Sequence, residues 1–417
     1  MLNNYICALD IGSSKICAAC ASIKRGHITN IYAEALPSRG MKKGLIIDSI
    51  ELVNSVGRVL KNLKAKSGIN IKLVNANISG QDIVTKHSNV IIPLAERGNK
   101  VVTLSDIQRV NEQARILGSS LEEDIIHKIP MSYSIDSKNN VTNPLGLYSH
   151  RLEVDLYLVC ARLTSVQTLG RIVHQAGFEL KDLFLSGIAT GEAIFKEEHR
   201  HGTTVICDIG SDMTEIALFK DGMIRSVDIL YMGGDDLSAE LQNALNMPFD
   251  LAEDVKVSYG IAGDYAQIGE EKEILVKKSS DYKPLKQKFV AELMTNKSKF
   301  ICQSIKEAVE KRAALRQVSN FLVVGRTIVM EGFIEMLESA VGIPVKLGRI
   351  SNRELMDIVS KDGSFSGQSY LNYVTSLGII CAALKGKDSP DLPIIQPPTN
   401  PLSRALNKIK EVYQEYF

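Results

Sequence analysis

The sequence predicts an α/β protein with a duplicated core. The stretch ALDIGSSKICA near the start of the chain returns near its middle as ICDIGSDMTEIA. In each copy a hydrophobic strand leads into an Asp-Ile-Gly turn, and a second strand follows the turn. A chain of 417 residues is also too long for a single hydrophobic core, so two or more globular units are expected. Together these observations predict two related halves that face each other.

Composition and charge exclude several classes of protein. Hydrophobic residues make up 45% and charged residues 23%, which is ordinary for a soluble folded protein. The formal net charge of +1 gives no overall attraction to nucleic acid, so we expect no nucleic-acid partner. The start of the chain lacks a basic segment followed by an apolar one, so no export signal is expected. The seven cysteines are scattered, and we interpret them as buried small hydrophobic residues.

Each copy of the repeat predicts a meander of three strands. In the first copy, strands are expected at Tyr5–Ile11 and 15–23, followed by the segment HITNIYAEA. In the second copy, strands are expected at 205–209 and 215–219, and an Asp-Gly hairpin then leads into MIRSVDIL. The same local arrangement therefore surrounds both turns.

The first turn has the residue types of a phosphate-binding loop. Gly12, Ser13 and Ser14 would present backbone N–H groups that form an anion-binding nest. Lys15 follows directly and could neutralise phosphate charge, whereas Asp10 precedes the turn and could hold Mg²⁺ through water. For one copy taken alone, a plain hairpin turn remains an equal alternative.

The second turn repeats this pattern and strengthens the interpretation. Asp208 precedes Gly210, and Ser211 and Asp212 follow. Two such turns could hold the phosphates of a nucleotide from both sides. Asp10 and Asp208 are the candidate magnesium-side carboxylates.

The motifs resemble a known superfamily. The duplicated Asp-Ile-Gly turns are similar to those of actin, heat-shock chaperones and sugar kinases, and the whole chain resembles the FtsA family of bacterial cell-division proteins. The segments that carry this resemblance are GMKKGLIID at 40–48, VNANISGQDI at 74–83, TLSDIQRVNEQA at 103–114, IIHKIPMSYSID at 125–136, NPLGLYSHRLEVDLYLV at 143–159, GGDDLSAEL at 233–241, AEDVKVSYG at 252–260 and GIPVKLGRI at 342–350.

The resemblance implies an actin-like two-domain fold with duplicated ribonuclease-H-like cores. The expected parts are a first core at 1–83 and 162–198, an inserted subdomain at 84–161, a second core at 199–232 and 319–385, an outer subdomain at 233–318, a proline-rich linker at 386–400 and an amphipathic helix at 401–417. These parts would make an actin-like core with one family-specific insertion.

The inserted subdomain has a helical pattern of its own. The helix is expected to begin with Ser105 as its N-cap, and Ile107, Val110, Ala114 and Leu117 would face the core. The segment carries no visible chemistry. We therefore expect it to be an interaction surface for other division proteins.

For the cleft between the halves, the resemblance implies ATP or ADP with Mg²⁺. It adds five positions to the nucleotide-binding set: Gly233, Gly234, Glu253, Lys256 and Gly325. The pair of Glu253 and Lys256 would lie on the ribose side.

Two departures from the family pattern bear on this cleft. The family has a run of glycines where this chain has Asp212, and a carboxylate facing a triphosphate at about 4 Å costs on the order of 1–4 kcal/mol. On the adenine side, Arg326 and Thr327 stand where small residues are expected. Since nothing marks a dedicated catalytic base, we expect weak nucleotide binding of a structural kind and, at most, very slow ATP hydrolysis.

The end of the chain predicts a membrane-surface helix. Its apolar residues fall on one helical face: Leu402, Ala405, Leu406, Ile409, Val412, Tyr413, Tyr416 and Phe417. Arg404, Lys408 and Lys410 lie on the other side. The alternative is a helix docked on the protein's own core, but the proline-rich linker separates this segment from the body. We expect weak, reversible binding to a membrane surface, as implied by the anchor of the FtsA family.

The resemblance also implies a partner. In the FtsA family, the tail peptide of the tubulin-like protein FtsZ docks on the outer subdomain, against the helix that precedes the adenine-side strand. On the matching helix we expect Asn296, Lys297, Lys299 and Gln303 to face solvent and to bind this acidic and apolar peptide. The expected buried stripe of the same helix contains Phe289, Leu293, Phe300, Ile301, Ile305 and Val309.

The resemblance therefore implies an actin-like division adaptor. It would polymerise, bind the membrane surface and tether FtsZ filaments to the cytoplasmic face of the inner membrane at the division site. Two alternatives remain: an ATP-dependent kinase of the superfamily, and an actin-like scaffold of another envelope machine such as a pilus platform. A kinase would need an intact second glycine turn and a catalytic carboxylate in a substrate cleft.

Overall fold

The computed structural model describes residues 5–386, apart from 96–97, 137, 267, 271 and 279–280. The chain divides into two compact units. The larger unit is built from Met1–Asp82 and Ser165–Lys385, and the smaller one contains Ile83–Thr164. The predicted linker beyond residue 386 and the predicted helix at 401–417 lie outside the described residues.

The elements up to the end of the smaller unit follow in chain order. They are β1 (Tyr5–Ile11), β2 (Lys15–Lys24), β3 (His27–Pro37), β4 (Met41–Lys42), β5 (Leu45–Ile46), α1 (Ser49–Ser67), β6 (Leu73–Ile78), β7 (Ile83–Pro93), β8 (Lys100–Val101), α2 (Leu104–Gly118), β9 (Glu123–Ile135), β10 (Lys138–Val141), β11 (Tyr148–Ser149) and β12 (Arg151–Arg162).

The remaining elements complete the larger unit. They are α3 (Leu163–Gln175), β13 (Glu179–Leu185), α4 (Ser186–Ile194), β14 (Thr203–Ile209), β15 (Thr214–Lys220), β16 (Met223–Leu230), α5 (Gly234–Leu245), α6 (Phe249–Tyr259), β17 (Glu273–Lys278), β18 (Asp281–Lys286), α7 (Gln287–Glu310), β19 (Val318–Val324), α8 (Phe333–Val341), β20 (Val345–Leu347), α9 (Arg353–Val359) and α10 (Val374–Lys385).

The larger unit contains two five-stranded sheets with the same topology. The first has the order β3-β2-β1-β6-β13 and the second the order β16-β15-β14-β19-β20. In each sheet the first three strands form an antiparallel meander, and the last two join in parallel. The predicted duplication and the α/β class are therefore confirmed. The strand predicted at Tyr5–Ile11 has those bounds, and the one predicted at 15–23 extends to Lys24.

The central strands are buried on both faces. In β2, every residue from Ile16 to Ala21 is buried, which explains why this strand reads as a continuous run of small and apolar residues. All seven cysteines are buried and free, as predicted. The core of each half thus keeps the strand ends that carry the turns in fixed positions.

Helices α4 and α10 pack closely in the larger unit. A Cβ atom at Gly378 would lie 1.8 Å from the carbonyl oxygen of Ala189, so only glycine permits this approach. None of the helices within the described ranges is long and apolar enough to cross a bilayer.

The smaller unit is a four-stranded sheet, in the order β10-β9-β12-β7, with α2 packed against it. The predicted N-cap at Ser105 is wrong. Helix α2 is capped by Thr103, two residues before Ser105. Thr103 forms a capping box with Asp106. Val110 and Ala114 are fully buried as predicted, whereas Leu117 is 73% exposed because it lies past the edge of the buried stripe.

Candidate nucleotide-binding site

The first turn, between β1 and β2, is closed by one backbone hydrogen bond. The amide of Gly12 donates to the carbonyl of Lys15 at 3.0 Å, and a Cβ at Gly12 would lie 2.9 Å from that same oxygen. The Ser13 hydroxyl is buried and has no hydrogen-bond partner in the described part of the chain. Since buried hydroxyls are normally satisfied, this one indicates a place where a ligand can supply the partner.

Asp10 and Asp208 lie at the ends of the equivalent strands β1 and β14, and the positive charge of Lys15 lowers the pKa of both carboxyl groups. Lys15 Nζ donates to Asn372 Oδ1 at 3.1 Å, and Asn77 Nδ2 donates to Asp10 Oδ1 at 2.8 Å. Burial raises the pKa of Asp10 to about 7, while Lys15 opposes the rise and Asp208 adds to it. Burial also raises the pKa of Asp208, again opposed by Lys15. The two carboxylates therefore lack enough positive charge around them.

These residues fit a magnesium nucleotide. Among the described residues, no three His, Cys, Asp or Glu side chains are grouped to hold a metal ion by themselves. Mg²⁺, however, is commonly held by one or two carboxylates together with water and substrate phosphates. Asp10 and Asp208 would hold the ion, and the amides of the first turn with Lys15 would hold the phosphates. A bound ion would supply positive charge beside the two carboxylates and the phosphates.

The second turn, between β14 and β15, has the same backbone closure. The amide of Gly210 donates to the carbonyl of Met213 at 2.9 Å. Two carbonyl groups of this turn are also bonded to other parts of the protein. The carbonyl of Gly210 accepts from the amide of Gly234 at 3.0 Å, and the carbonyl of Ser211 accepts from the amide of Asp235 at 2.6 Å. The first amides of α5 thus donate to this turn.

Asp212 does not face an open cleft, which corrects the expectation from sequence. Its side chain is only 7% exposed, and its carboxylate accepts a short hydrogen bond from the amide of Lys43. Lys43 lies in the hairpin of β4 and β5, in the first half of the larger unit. One oxygen of the carboxylate is therefore already bonded within the protein.

Thr327 also differs from the expectation. Its side chain is 8% exposed, and its hydroxyl donates to the carbonyl of Gly210 at 2.8 Å, so it ties the adenine-side loop to the second turn. Arg326 is exposed. Gly325 adopts a φ of +95°, and a Cβ there would lie 2.3 Å from the carbonyl oxygen of Ile209. Close packing against Ile209 therefore requires a glycine at position 325, which the family resemblance places in the nucleotide-binding set.

The pair on the predicted ribose side forms an ion pair. Lys256 Nζ lies 2.5 Å from Glu253 Oε2 and also donates to the carbonyl of Gly234 at 2.9 Å. The Ser238 hydroxyl donates to the same carboxylate at 2.5 Å. The pair thus links α5 to α6 beside Gly233 and Gly234. Nucleotide contact by this pair stays a prediction.

Glu215 was missed by sequence reasoning. It pairs with Asp208 across β14 and β15, is 7% exposed, and accepts a short hydrogen bond from the Ser79 hydroxyl. Burial raises its pKa to about 7, with the Ser79 hydrogen bond opposing and Asp208 adding to the rise. One sequence signal was available, because an acidic residue interrupts an otherwise apolar buried strand. It brings a third carboxyl group to the cleft.

Two family models match this chain. The model described as "SHS2 domain inserted in FTSA" matches residues 80–160, and the model "Cell division protein FtsA" matches residues 205–374. Together they span more than half of the sequence. The chain belongs to the FtsA family. It is 28% identical over 375 residues to the cell division protein FtsA of Pseudomonas aeruginosa, which covers 88% of each chain. Against FtsA of Bacillus subtilis it is 25% identical over 337 residues, covering 81% of this chain and 76% of the relative.

Solved structures with the same fold come from the actin-like superfamily. The "PilM-PilN type IV pilus biogenesis complex" matches with a TM-score of 0.63 at 14% identity, covering 91% of this chain and 99% of that chain. The "MamK double helical filament" matches with a TM-score of 0.51 at 12% identity, covering 90% and 98%. MreB5 of Spiroplasma citri bound to ADP matches with a TM-score of 0.50 at 11% identity, covering 86% and 95%. These matches confirm the actin-like fold that FtsA membership implies.

Helix α7 carries the residues predicted to bind FtsZ. Three of them are exposed as expected: Asn296, Lys299 and Gln303. Lys297 is half-buried instead. Its ammonium lies 4.0 Å from Glu240 and 5.7 Å from the centre of the Phe300 ring. Lys297 is therefore engaged within the protein.

The predicted buried stripe of α7 is partly wrong. Phe289 and Phe300 are 43% and 58% exposed, whereas Ile301, Ile305 and Val309 are buried as expected. The buried face also contains small polar residues, so the spacing of hydrophobic residues alone did not locate it. Those that the helix buries are Thr295 and Ser298. The apolar residues left outside lie on the same side of the helix as the candidate polar contacts.

Proposed function

We propose that this chain is an actin-like adaptor of the division site, which assembles with itself and tethers FtsZ filaments to the cytoplasmic face of the cell membrane. Membership of the FtsA family supports the division role. The observation that carries the tethering role is the exposed apolar side of α7. Phe289 and Phe300 are exposed and lie on one side of the helix, with the partly buried Leu293 between them.

The charge around these residues suits an acidic and apolar peptide. Lys299 is exposed beside Phe300, and Lys297 reaches over the same ring. Large apolar side chains exposed together on one face commonly mark a contact for a partner. A peptide that covers Phe289 and Phe300 would also come within reach of these ammonium groups.

Fluorescence anisotropy with the tail peptide of the cognate FtsZ tests this contact. We expect Phe300→Ala, and separately Lys299→Glu, to weaken binding by about 1–3 kcal/mol. The lysine effect should shrink at high salt, because exposed charges are screened. Lys297→Glu alone is less clean, since it also removes the contact with Glu240.

Lys311→Glu is the matched control, because Lys311 is an exposed lysine at the end of the same helix. Equal losses in Lys299→Glu and Lys311→Glu would indicate a general charge effect. Unchanged affinity in both Phe300→Ala and Lys299→Glu would move the peptide to another surface.

Membrane attachment in this proposal rests on the predicted helix at 401–417. A single helix of this kind would bind reversibly, and assembly of many copies would strengthen attachment through avidity. In a vesicle flotation assay Ile409→Glu should release the protein, because it places a charge in the middle of the apolar face. Gln414→Glu, on the polar face, should leave attachment intact. Equal behaviour of the two variants would contradict an apolar-face contact.

For the nucleotide, the proposal is ATP or ADP with Mg²⁺, held mainly by the first turn, with hydrolysis at most very slow. The unpartnered Ser13 hydroxyl and the half-buried carboxylates Asp10 and Asp208 support this assignment. The smaller unit is proposed as a surface for further division proteins. There Leu117 and Leu121 are 73% and 96% exposed, which favours a protein contact.

The alternatives make different demands. A kinase of the superfamily would need an intact second glycine turn, and the second turn of this chain carries Asp212, whose carboxylate is bonded to the amide of Lys43. A pilus-type scaffold protein shares the fold at 14% sequence identity. That likeness concerns the fold alone and not the binding partners of this chain. Binding of the FtsZ tail peptide to α7 would separate the division adaptor from both.

A further inference from the structure

A hydrogen bond between the hairpin at 41–46 and the second turn joins the two halves of the larger unit across the cleft, in addition to the bond from Ser79 to Glu215. The carboxylate of Asp212, in the second turn, accepts a short hydrogen bond from the amide of Lys43, in the hairpin at 41–46 that precedes α1. Asp212 is 7% exposed. A buried carboxylate is costly unless it is paired, and a hydrogen bond to a charged acceptor is stronger than one between neutral groups.

The same hairpin packs directly against its surroundings in the cleft. A Cβ atom at Gly44 would lie 3.0 Å from Met213 Sδ and 3.2 Å from Gly80 Cα, and Gly44 adopts a φ of +72°. The second turn and the loop after β6 therefore both touch the backbone of the hairpin. Close packing and the Asp212 bond act at adjacent residues of the hairpin, so they hold the same contact.

The second turn is itself fixed to the second half. Its carbonyl groups accept hydrogen bonds from the amides of Gly234 and Asp235 and from the Thr327 hydroxyl. A displacement of Asp212 would therefore also displace the start of α5 and the adenine-side loop. The bond to Lys43 thus connects a rigid part of one half to the hairpin of the other.

We propose that Asp212 is a built-in latch that holds the cleft closed without nucleotide, so that self-assembly of this chain does not depend on ATP. The second part rests on the self-assembly in the proposed function. A ligand shifts a conformational equilibrium only by its differential affinity for the two states. Where contacts of the chain already favour the closed state, a nucleotide has little left to shift.

Amide hydrogen exchange of the nucleotide-free protein tests the latch directly. In the wild type the amide of Lys43 should exchange slowly. Asp212→Asn keeps the shape of the side chain but removes its charge, and should accelerate exchange at Lys43 about tenfold to a hundredfold, as expected for loss of a charge-assisted hydrogen bond. Asp357→Asn, an exposed aspartate on α9, is the matched control and should leave Lys43 unchanged.

Sedimentation tests the consequence for assembly. Wild-type protein should sediment to the same extent with and without Mg-ATP, whereas Asp212→Gly, which places a glycine at this position, should sediment only with Mg-ATP. An amide of Lys43 that exchanges equally fast in wild type and Asp212→Asn would overturn the latch. So would wild-type assembly that needs nucleotide as strongly as Asp212→Gly does. If no variant sediments under any condition, the proposed self-assembly fails, and the exchange rates at Lys43 still decide whether the latch exists.

Discussion

The two Asp-Ile-Gly turns share a backbone but differ in their surroundings. Each is closed by a bond from its glycine amide to the carbonyl three residues later, at 3.0 Å in the first turn and 2.9 Å in the second. The first turn keeps a buried serine hydroxyl with no partner in the described chain. In the second turn, two carbonyls and the Asp212 carboxylate are bonded to other parts of the protein.

This difference teaches that a duplicated motif can keep its fold while its two copies take different tasks. Closure of the turn needs only glycine and the flanking strands, which both copies have. Binding of phosphate also needs hydrogen-bond donors and positive charge, and the first copy supplies the unpartnered Ser13 hydroxyl and the Lys15 ammonium. The second copy has no lysine after its turn, and it uses two carbonyl groups and the Asp212 carboxylate to join α5, the adenine-side loop and the hairpin at 41–46.

Removal of the lysine after the first turn is expected to have the largest effect. Lys15→Ala deletes the cation that opposes the raised pKa values of both Asp10 and Asp208. Since a hydrogen bond to a charged group contributes roughly 1.5–3 kcal/mol, affinity for Mg-ADP should fall about tenfold to a hundredfold. Titration calorimetry measures this, with Lys24→Ala at the exposed end of β2 as control. An unchanged dissociation constant would place the phosphates elsewhere.

Glu215 should make stability depend on pH in the nucleotide-free protein. Its pKa is about 7 in the folded state, against an ordinary value of 4.5. Between these values the folded state keeps a proton that the unfolded state has released, so the free energy of unfolding falls as pH rises from about 4.5 to about 7. Glu215→Gln removes this dependence. Relative to that variant, the wild type should lose about 1–3 kcal/mol across the window.

Urea unfolding at a series of pH values measures the effect of Glu215. Glu335→Gln, an exposed glutamate on α8, is the control and should run parallel to the wild type. If Glu215→Gln also runs parallel to the wild type, Glu215 titrates as an ordinary carboxyl group and is not desolvated.

A smaller effect is expected at Thr327. If its side chain obstructed the purine, as sequence alone suggested, a substitution would improve nucleotide binding. Because its hydroxyl instead donates to the carbonyl of Gly210, Thr327→Val should lower the free energy of unfolding by about 1 kcal/mol without tightening Mg-ADP binding. Thr327→Ser keeps the hydroxyl and should behave like the wild type. Tighter binding by Thr327→Val with unchanged stability would restore the obstruction hypothesis.

Local signals predicted the frame of the site well. The strands around both turns were placed within one or two residues, because apolar runs ending in Asp-Ile-Gly are decided by neighbouring residues. What sequence could not give was the partner of each polar group. Asp212 bonds to an amide 169 residues away, and Glu215 meets a hydroxyl 136 residues away.

The same limit explains the error on α7. Two sides of that helix carry apolar residues, and only packing against the rest of the unit decides which is buried. The side that is buried includes Thr295 and Ser298, and the other side leaves Phe289 and Phe300 exposed. A helix with two apolar sides is thus a signal that one of them is free for a partner.

The measurement that tests the difference between the turns most directly compares two matched serines. Ser13 and Ser211 each follow the glycine of their turn. Titration with Mg-ADP should show that Ser13→Ala weakens binding about fivefold to tenfold, the loss of one hydrogen bond, while Ser211→Ala changes it less than about twofold. A loss in Ser211→Ala equal to or larger than that in Ser13→Ala would show that the second turn holds the phosphates, and would contradict the account.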